Sequence, residues 1–110
     1  MMMFYNFGHQ GFEVHEPAPG FIVRAITGKN IMLCNVTLQP YSESPLHSHS
    51  SEEMAIIIEG EFDMKIGDKS KVLKHGDIYN VPPNTIHGGV NGEHRTVMIS
   101  AFSPPRKDYE

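Results

Sequence analysis

The sequence predicts an all-β domain that closes into a barrel or a jelly roll. Short segments of alternating apolar and polar residues recur from residue 20 onward, and turn-forming residues such as Gly, Pro, Asn and Asp separate them. Helical periodicity is absent nearly throughout. Many short strands without covering helices have exposed edges, which closure of the sheet removes. A length of 110 residues allows one such domain and not two.

The first 19 residues form a predicted N-terminal arm, because they show no period and lead into the proline-rich stretch EPAPG. The arm carries more aromatic side chains than a solvated tail needs, namely Phe4, Tyr5, Phe7 and Phe12. We expect these rings to pack on the barrel or on a second subunit, and we therefore expect a homodimer. The predicted organisation is an arm over residues 1–19 and a single barrel domain over residues 20–110.

Strands are predicted within the barrel domain from the alternation and from the turns that bound it. They cover residues 21–27, 31–38, 54–59, 61–66, 71–73, 78–81, 86–90 and 96–102. Turns and loops are predicted at residues 28–30, 39–45, 67–69, 74–77 and 82–84. One face of the second strand is apolar and consists of Met32, Cys34, Val36 and Leu38. Its other face carries Asn35 and Thr37, which either line a cavity or contact solvent.

Charge and composition narrow the range of partners. The formal net charge of −4 and the isoelectric point near 5.9 argue against a nucleic-acid partner. No segment approaches the ~20 apolar residues that a membrane-spanning helix needs. The start of the chain does not have the pattern of a signal peptide, and a single cysteine cannot form an internal disulfide. We therefore expect a cytoplasmic protein that binds a small molecule.

His47 and His49 lie one residue apart in the stretch PLHSHSSEEMAIIIEG, residues 45–60. Side chains at positions i and i+2 of a strand point to the same side, so the two imidazoles can approach one point. Glu53 follows four positions later, where a short bend can return its carboxylate to that point. Two imidazoles and a carboxylate, with one further histidine, make a site of nitrogen and oxygen ligands that suits a first-row divalent metal.

A second stretch, GDIYNVPPNTIHGGVN at residues 76–91, supplies the context for these histidines. Together the two stretches resemble the two motifs of the cupin superfamily, G-x5-H-x-H-x3,4-E-x6-G and G-x5-P-x-G-x2-H-x3-N. The matching positions are His47, His49, Glu53, Gly60, Gly76, Pro82, His87 and Asn91. Tyr41 and Asn84 stand where the motifs have glycine, and Asn tolerates the left-handed conformation that such a turn needs.

The resemblance implies a double-stranded β-helix, the small jelly-roll barrel of cupins, with one bound divalent metal ion. It implies that His47, His49, Glu53 and His87 hold this ion, and that the ion is Zn, Ni, Fe or Mn. Such a site leaves one or two positions for water or substrate, so the ion can polarise a substrate oxygen or lower the pKa of a bound water. Glu52 competes with Glu53, and the motif spacing favours Glu53. The alternatives are solvated loop histidines or a barrel that has lost its metal.

The C-terminal stretch FSPPRKDY, residues 102–109, looks like the F-S-P-x-R-x-D-F ending of the pectin degradation protein family KdgF. Gly20, Arg24, Gly28 and residues 45–49 also look like that family, so the resemblance covers most of the domain. It implies a metal-dependent protein that helps convert cyclic 4,5-unsaturated uronates, released by pectin or alginate lyases, into linear keto sugars.

Carried over to this chain, the resemblance gives roles to several side chains outside the metal site. Arg106 would pair with the uronate carboxylate, which a bidentate guanidinium suits, and Phe102 would pack on the sugar. Arg24 is a second candidate partner for an anion, and Met98 is a candidate for the cavity wall. For both arginines the alternative is a salt bridge at the surface or at an interface.

This chain differs from that family at two positions that bear on metal binding and proton transfer. The family usually has Gln where this chain has Glu53, and a glutamate still ligates but adds negative charge. The family has Asp two residues before the Phe, where this chain has Ser100. Strand parity gives Met98, Ser100 and Phe102 one face, so Ser100 should point into the cavity. Because serine is not an acid–base group without an activating partner, this protein either has lost the family's reaction or uses metal-bound water or Tyr79 in place of that Asp.

The leading functional hypothesis is a metal-dependent enzyme that acts on a small anionic sugar or keto acid by isomerisation, ring opening or hydration. One alternative is an iron-dependent cupin dioxygenase, which the same ligands permit. The other is a small-molecule-binding cupin without catalytic activity. The remaining histidines are expected to lie on the surface or on the arm, namely His9, His15, His75 and His94.

Overall fold

The computed structural model describes residues 3–8, 12 and 14–109, which form two antiparallel β-sheets. The strands of this described part are β1 (Val14–Ala18), β2 (Phe21–Thr27), β3 (Met32–Leu38), β4 (Glu43–His47), β5 (Glu52–Glu59), β6 (Phe62–Ile66), β7 (Lys69–Leu73), β8 (Ile78–Val81), β9 (His87–Asn91) and β10 (Thr96–Ser103). A single 3₁₀ turn, η1 (Lys107–Tyr109), follows the last strand. No helix within these residues has the length and apolar character that crossing a membrane requires.

The six-stranded sheet has the order β1-β2-β3-β10-β5-β8, and the four-stranded sheet has the order β4-β9-β6-β7. Neighbouring strands in both sheets are antiparallel, and β1 at the edge of one sheet contacts β4 at the edge of the other. The sequence therefore predicts the fold class correctly, since the two sheets enclose a jelly-roll core.

Alternation along each strand separates this core from the outer surface, as expected for strands with one solvated face. In β5, Glu53, Ala55 and Ile57 are buried while the residues between them are exposed. In β3 the apolar face points inward, and Val36 and Leu38 reach the central cavity. Asn35 and Thr37 are half-buried on the outer face, so the polar face of β3 does not line the cavity.

Two strands are absent from the sequence prediction, and both lie at sheet edges. β1 falls within the predicted arm and pairs with β2, with an irregularity between His15 and Ala18. β4 occupies part of the predicted loop before the His pair and pairs with β9. Elsewhere on the arm the Phe7 and Phe12 rings contact each other at 5.4 Å between centroids.

Asn91 fastens the end of β9 to the surrounding chain. Its side-chain amide donates hydrogen bonds to the carbonyls of Leu38, Gln39 and His94, and its side-chain oxygen accepts one from the Thr96 hydroxyl. Asn91 is 4% exposed, so these bonds satisfy polar groups that water does not reach. This residue of the second motif is therefore structural, and it fixes the strand that begins at the metal-site histidine.

Candidate metal centre and ligand cavity

Three histidines converge at one end of the barrel. His47 ends β4, His49 follows it, and His87 begins β9. Antiparallel pairing places His47 directly opposite His87, and their ring centroids are 4.3 Å apart. The ligand nitrogens of the three rings all lie within 4.8 Å of one another, which is close enough for one ion. The structure thus brings together the three histidines that the sequence predicts as ligands.

Each of these rings is oriented by a hydrogen bond to the backbone two residues away. The Nδ1 atoms of His47, His49 and His87 lie 2.7, 2.9 and 2.8 Å from the carbonyls of Pro45, Ser51 and Thr85. A carbonyl accepts but cannot donate, so each Nδ1 carries a proton, and in the neutral form of each ring the lone pair that a metal ion needs is then on Nε2. Backbone partners of this kind fix the tautomer and direction of metal-ligating histidines.

Glu53 completes the cluster from β5. One of its carboxylate oxygens lies 3.1 Å from the Nε2 of His49 and 3.3 Å from the Nε2 of His87. The other oxygen accepts a hydrogen bond from the Tyr79 hydroxyl. Glu53 is 6% exposed, whereas Glu52 lies on the exposed face of the same strand, near Asn80. Strand alternation therefore places Glu53 in the site and excludes Glu52.

Burial raises the pKa of Glu53, but hydrogen bonds from His49, His87 and Tyr79 outweigh it and lower this pKa to about 2. Burial, together with the charge of Glu53, raises the pKa of Tyr79 well above its usual value near 10. At neutral pH the cluster therefore holds an ionised carboxylate and a protonated phenol.

The surroundings of His47 and His87 shift the pKa values of these two rings in opposite directions. Burial lowers the pKa of His47, which favours the neutral ring at neutral pH. Burial also lowers the pKa of His87, but the hydrogen bond and charge of Glu53 and the Thr85 carbonyl outweigh it and raise that pKa. Without a metal ion, Glu53 and His87 thus partly satisfy each other electrostatically.

The donors present fit a divalent metal ion. The Nε2 of His87 is buried and directed into the cluster, and its 3.3 Å contact with the Glu53 oxygen is longer than an ordinary N–H···O hydrogen bond, so this nitrogen is incompletely satisfied. Three imidazole nitrogens and one carboxylate oxygen suit Zn, Ni, Fe or Mn by ligand type. A bound cation would satisfy the buried nitrogen and compensate the buried carboxylate, which are both costly without a partner.

A cavity of about 40 Å³ lies above this cluster, between the two sheets. Met98, Ser100 and Phe102 all line it, as the parity of β10 predicts. The hydroxyl of Ser100 is buried and has no hydrogen-bond partner among the described residues. Apolar side chains make up much of the remaining wall, including Val23, Val36, Leu38, Phe62 and Met64.

The C-terminal stretch roofs the cavity. Arg106, Tyr109 and Phe102 all line it, and the guanidinium carbon of Arg106 lies 4.4 Å from the centroid of the Tyr109 ring. The hydroxyl of Ser51 donates to the carbonyl of Pro104 at 2.5 Å and anchors this stretch. The sequence prediction missed Tyr109 in this roof, although the aromatic end of the FSPPRKDY stretch was the available signal.

Arg24 lies elsewhere. It is in β2 on the face opposite the buried Val23, opposite Asn35 of β3, and it does not line the cavity. Strand alternation sends its side chain to the outer surface, so Arg24 is not positioned to contact a ligand beside the histidines. This position does not support the predicted role as an anion partner.

The other histidines of the described residues, His15, His75 and His94, stay apart from the cluster. His75 and His94 are exposed, as predicted. The ring of His15 contacts the ring of Tyr109, with 5.4 Å between centroids, so this arm residue packs against the roof of the cavity. His9 lies outside the described residues.

Comparisons with known proteins agree with this architecture. The family model described as "Cupin domain" matches residues 34–102. The pectin degradation protein KdgF of Dickeya dadantii is 36% identical over 57% of this chain and 58% of its own length. An H2HPP isomerase of Bacillus subtilis is 34% identical over 86% of this chain and 41% of its own length.

Among solved structures, KdgF from Halomonas sp. superposes with a TM-score of 0.83 at 24% identity, over 98% of this chain and 97% of the other. At that identity the likeness concerns the fold alone. The chain spans about half the length of the curated relatives it matches. Because the family model covers most of the barrel, including every histidine of the cluster, the chain belongs to the cupin domain family.

Proposed function

We propose that this protein is a metal-dependent cupin enzyme that opens or isomerises a small anionic sugar, such as a 4,5-unsaturated uronate, to a linear keto sugar. The observation that carries the proposal is the convergence of His47, His49, His87 and Glu53 beneath a cavity whose roof contains Arg106. The similarity to a relative named for pectin degradation and to one named as an isomerase supports this reaction class.

The groups at the two ends of the cavity have different roles in this proposal. When bound, a divalent cation would supply polarisation of a ligand oxygen at the histidine end. At the other end Arg106, whose side chain is 12% exposed, offers a guanidinium suited to a carboxylate. Phe102 lies between them, with its ring centroid 5.4 Å from that of His49, and gives an apolar surface for a sugar ring.

Tyr79 and Ser100 serve different purposes in this proposal. The Tyr79 phenol donates to Glu53 and its pKa is raised, so it holds the carboxylate in place and does not release a proton at neutral pH. Ser100 has no activating partner among the described residues, so it serves as a hydrogen-bonding group for a ligand hydroxyl. Proton exchange then falls to water that enters through the mouth of the cavity.

The test is a spectroscopic assay with 4,5-unsaturated galacturonate or mannuronate. We expect the metal-loaded protein to remove the conjugated enol-ether absorbance faster than the spontaneous reaction, and a chelator to abolish the acceleration. Arg106→Gln should raise KM more than it lowers kcat, and Ser100→Asp should raise kcat if a missing acid–base group limits the rate. Full metal loading without any acceleration would overturn the proposal.

A second candidate, a cupin that binds a small molecule without turnover, is favoured by one observation. Among the cavity hydroxyls, Ser100 has no hydrogen-bond partner among the described residues that could activate it, and the raised pKa of Tyr79 keeps that phenol protonated at neutral pH. Saturable binding of a uronate with no change in its absorbance would favour this candidate. Oxygen consumption by the iron-loaded protein would instead indicate the dioxygenase.

We further propose that the protein is a cytoplasmic homodimer that associates through the outer face of the six-stranded sheet. Cross-strand pairing makes this face contiguous, since Met54 lies opposite Ala101 and Ala101 opposite Leu33. Its exposed apolar members are Leu33, Met54, Ile56, Ile58 and Ile78. Six strands about 4.8 Å apart, each about 20 Å long, give a face of roughly 500–600 Å². That area approaches the ~800 Å² per partner of a standard interface.

Sedimentation measures this association directly. Ile56→Lys should convert a dimer to a monomer, because a charge would be buried in the middle of the apolar face. Val72→Lys is the matched control, since Val72 is 47% exposed on β7 of the other sheet. A monomeric wild-type protein, or an Ile56→Lys variant that remains dimeric, would contradict the proposed interface.

A further inference from the structure

Three of the five N–H donors of Arg106 are engaged by its neighbours in the C-terminal stretch. Its Nε and Nη2 donate to the two carboxylate oxygens of Asp108 at 3.2 and 2.7 Å. Its Nη1 donates to the Tyr109 hydroxyl at 3.4 Å. The guanidinium also lies near the rings of Tyr109 and Phe102, with its carbon 4.4 and 5.3 Å from their centroids. Asp108 therefore occupies the Nε–Nη2 edge, one of the two guanidinium edges that can bind a carboxylate in bidentate fashion.

The two partners of this ion pair differ in their surroundings. The Arg106 side chain is 12% exposed and lines the inner cavity, whereas the Asp108 side chain is 59% exposed and does not line that cavity. Both residues line an outer depression of about 230 Å³ that also borders His47. Because water reaches the Asp108 carboxylate and screens its charge, another carboxylate can replace it beside Arg106.

The size of the inner cavity requires such a rearrangement. A free volume of about 40 Å³ has room for roughly three waters, at 10–15 Å³ each, and not for a sugar ring. The roof contains Arg106 and Tyr109, and the pair between Arg106 and Asp108 closes the short turn that carries both. A ligand carboxylate that binds the Nε–Nη2 edge of Arg106 therefore displaces Asp108.

We propose that Asp108 is a specificity-determining residue, because its carboxylate competes with an acidic ligand for Arg106. The inference rests on the proposed function in one respect, which is that Arg106 binds the carboxylate of the ligand. Asp108 sets how strongly an anion must bind to open the roof. A neutral ligand gains nothing from Arg106 and leaves the ion pair closed.

The test compares an acidic and a neutral sugar of the same shape by calorimetric titration of the metal-loaded protein. Galacturonate and galactose serve as probes, because the two differ by the carboxylate. Asp108→Asn keeps the shape of the side chain and removes its charge. We expect it to bind galacturonate 3- to 10-fold more tightly than the wild type and to leave galactose affinity unchanged. A purely structural effect on the roof would change the affinity for both sugars.

Two controls separate the sources of the effect. Asp68→Asn makes the same change in the β6–β7 turn and alters net charge equally, and it should bind both sugars as the wild type does. Arg106→Gln should lose the preference for galacturonate, alone and combined with Asp108→Asn. A thermal melt of each variant checks that the barrel is folded.

Three results would overturn the inference, and they have different meanings. If Arg106→Gln binds galacturonate as tightly as the wild type, the role given to Arg106 in the proposed function is wrong. If Arg106→Gln weakens binding but Asp108→Asn does not strengthen it, Arg106 binds the ligand and Asp108 does not compete. Tighter binding of galacturonate and galactose alike by Asp108→Asn would also refute competition for charge.

Discussion

Tyr41 holds a left-handed backbone conformation, with φ of 62°, at a position where the cupin motif has glycine. A non-glycine residue in this region carries strain of about 1–3 kcal/mol, and the Tyr41 side chain is 76% exposed and gains little packing in return. Tyr41→Gly should therefore raise the free energy of unfolding by about 1 kcal/mol, after the higher entropy of glycine in the unfolded chain is subtracted. Chemical denaturation measures this change.

Asn84 provides the matched comparison, since its φ is 60° and asparagine tolerates that region. Asn84→Gly should change the free energy of unfolding by less than about 0.5 kcal/mol, because little strain is relieved. Equal effects at Tyr41 and Asn84 would show that the left-handed conformation is not strained at Tyr41.

The lowered pKa of Glu53 predicts that the stability of the metal-free protein depends on pH. Its pKa is about 2 in the folded chain against 4.5 for an ordinary glutamate, so the folded state binds fewer protons here than the unfolded state. The stability that Glu53 contributes is therefore full above pH 4.5 and is lost as the pH falls towards 2. Urea denaturation across this range should show a steeper loss for the wild type than for Glu53→Gln.

Glu52→Gln is the control for this experiment, because Glu52 lies on the exposed face of the same strand. It should follow the wild-type curve. Parallel curves for the wild type and Glu53→Gln would contradict the ion-pair and hydrogen-bond partners assigned to Glu53.

The sequence predicts those parts of the candidate site that depend on the local geometry of one strand and its neighbouring turn. His47, His49 and Glu53 are close in the chain, and period-two alternation decides which of two glutamates faces inward. His87 needed the resemblance, because register between distant strands is not visible in local pattern. Tyr109 and the pairing of Arg106 with Asp108 depend on how an irregular C-terminal stretch folds back, which no periodicity encodes.

At the scale of elements, β1 and β4 explain where the fold prediction fell short. β1 contains Pro17 and β4 contains Pro45, and neither strand alternates clearly. Proline lacks the N–H that a central strand must donate, and an edge strand tolerates it on its unpaired side. Both strands are edge strands, so tertiary pairing makes a strand where local sequence favours a loop.

β9 lies close to both of its neighbours because it contains Gly88 and Gly89. A Cβ at Gly89 would overlap the Phe62 ring and would fall 2.6 Å from the carbonyl oxygen of Asp63 in β6. Gly89→Ala should therefore destabilise the protein by about 1–3 kcal/mol, as overpacking does. It should also weaken metal binding, since β9 begins with His87. Thermal melts and metal titrations measure the two effects.

Gly76→Asn is a suitable contrast, because no atom of the described residues lies within 4 Å of the place that a Cβ would occupy in this turn. Asparagine also accepts the φ of 88° better than alanine does. The substitution should leave metal affinity unchanged. If Gly89→Ala retained wild-type stability and metal affinity, the close packing of β9 on β6 would not position His87.

At the scale of the whole molecule, the candidate metal site connects the two sheets. Glu53 comes from the six-stranded sheet, while His47 and His87 come from the four-stranded sheet. An ion held by residues of both sheets binds the folded state alone, so it should stabilise the barrel by about 2.7 kcal/mol at a free concentration 100 times Kd. Removal of the metal should lower the melting temperature without unfolding the apolar core.

The most direct test of the account is the metal content of the purified protein after loading with a divalent ion and removal of the excess. We predict one ion per chain for the wild type and none retained by His49→Ala or His87→Ala, with circular dichroism showing that both variants keep the β-barrel. Full occupancy in a folded His87→Ala variant would contradict the ligand assignment, and so would a wild-type protein that binds no metal.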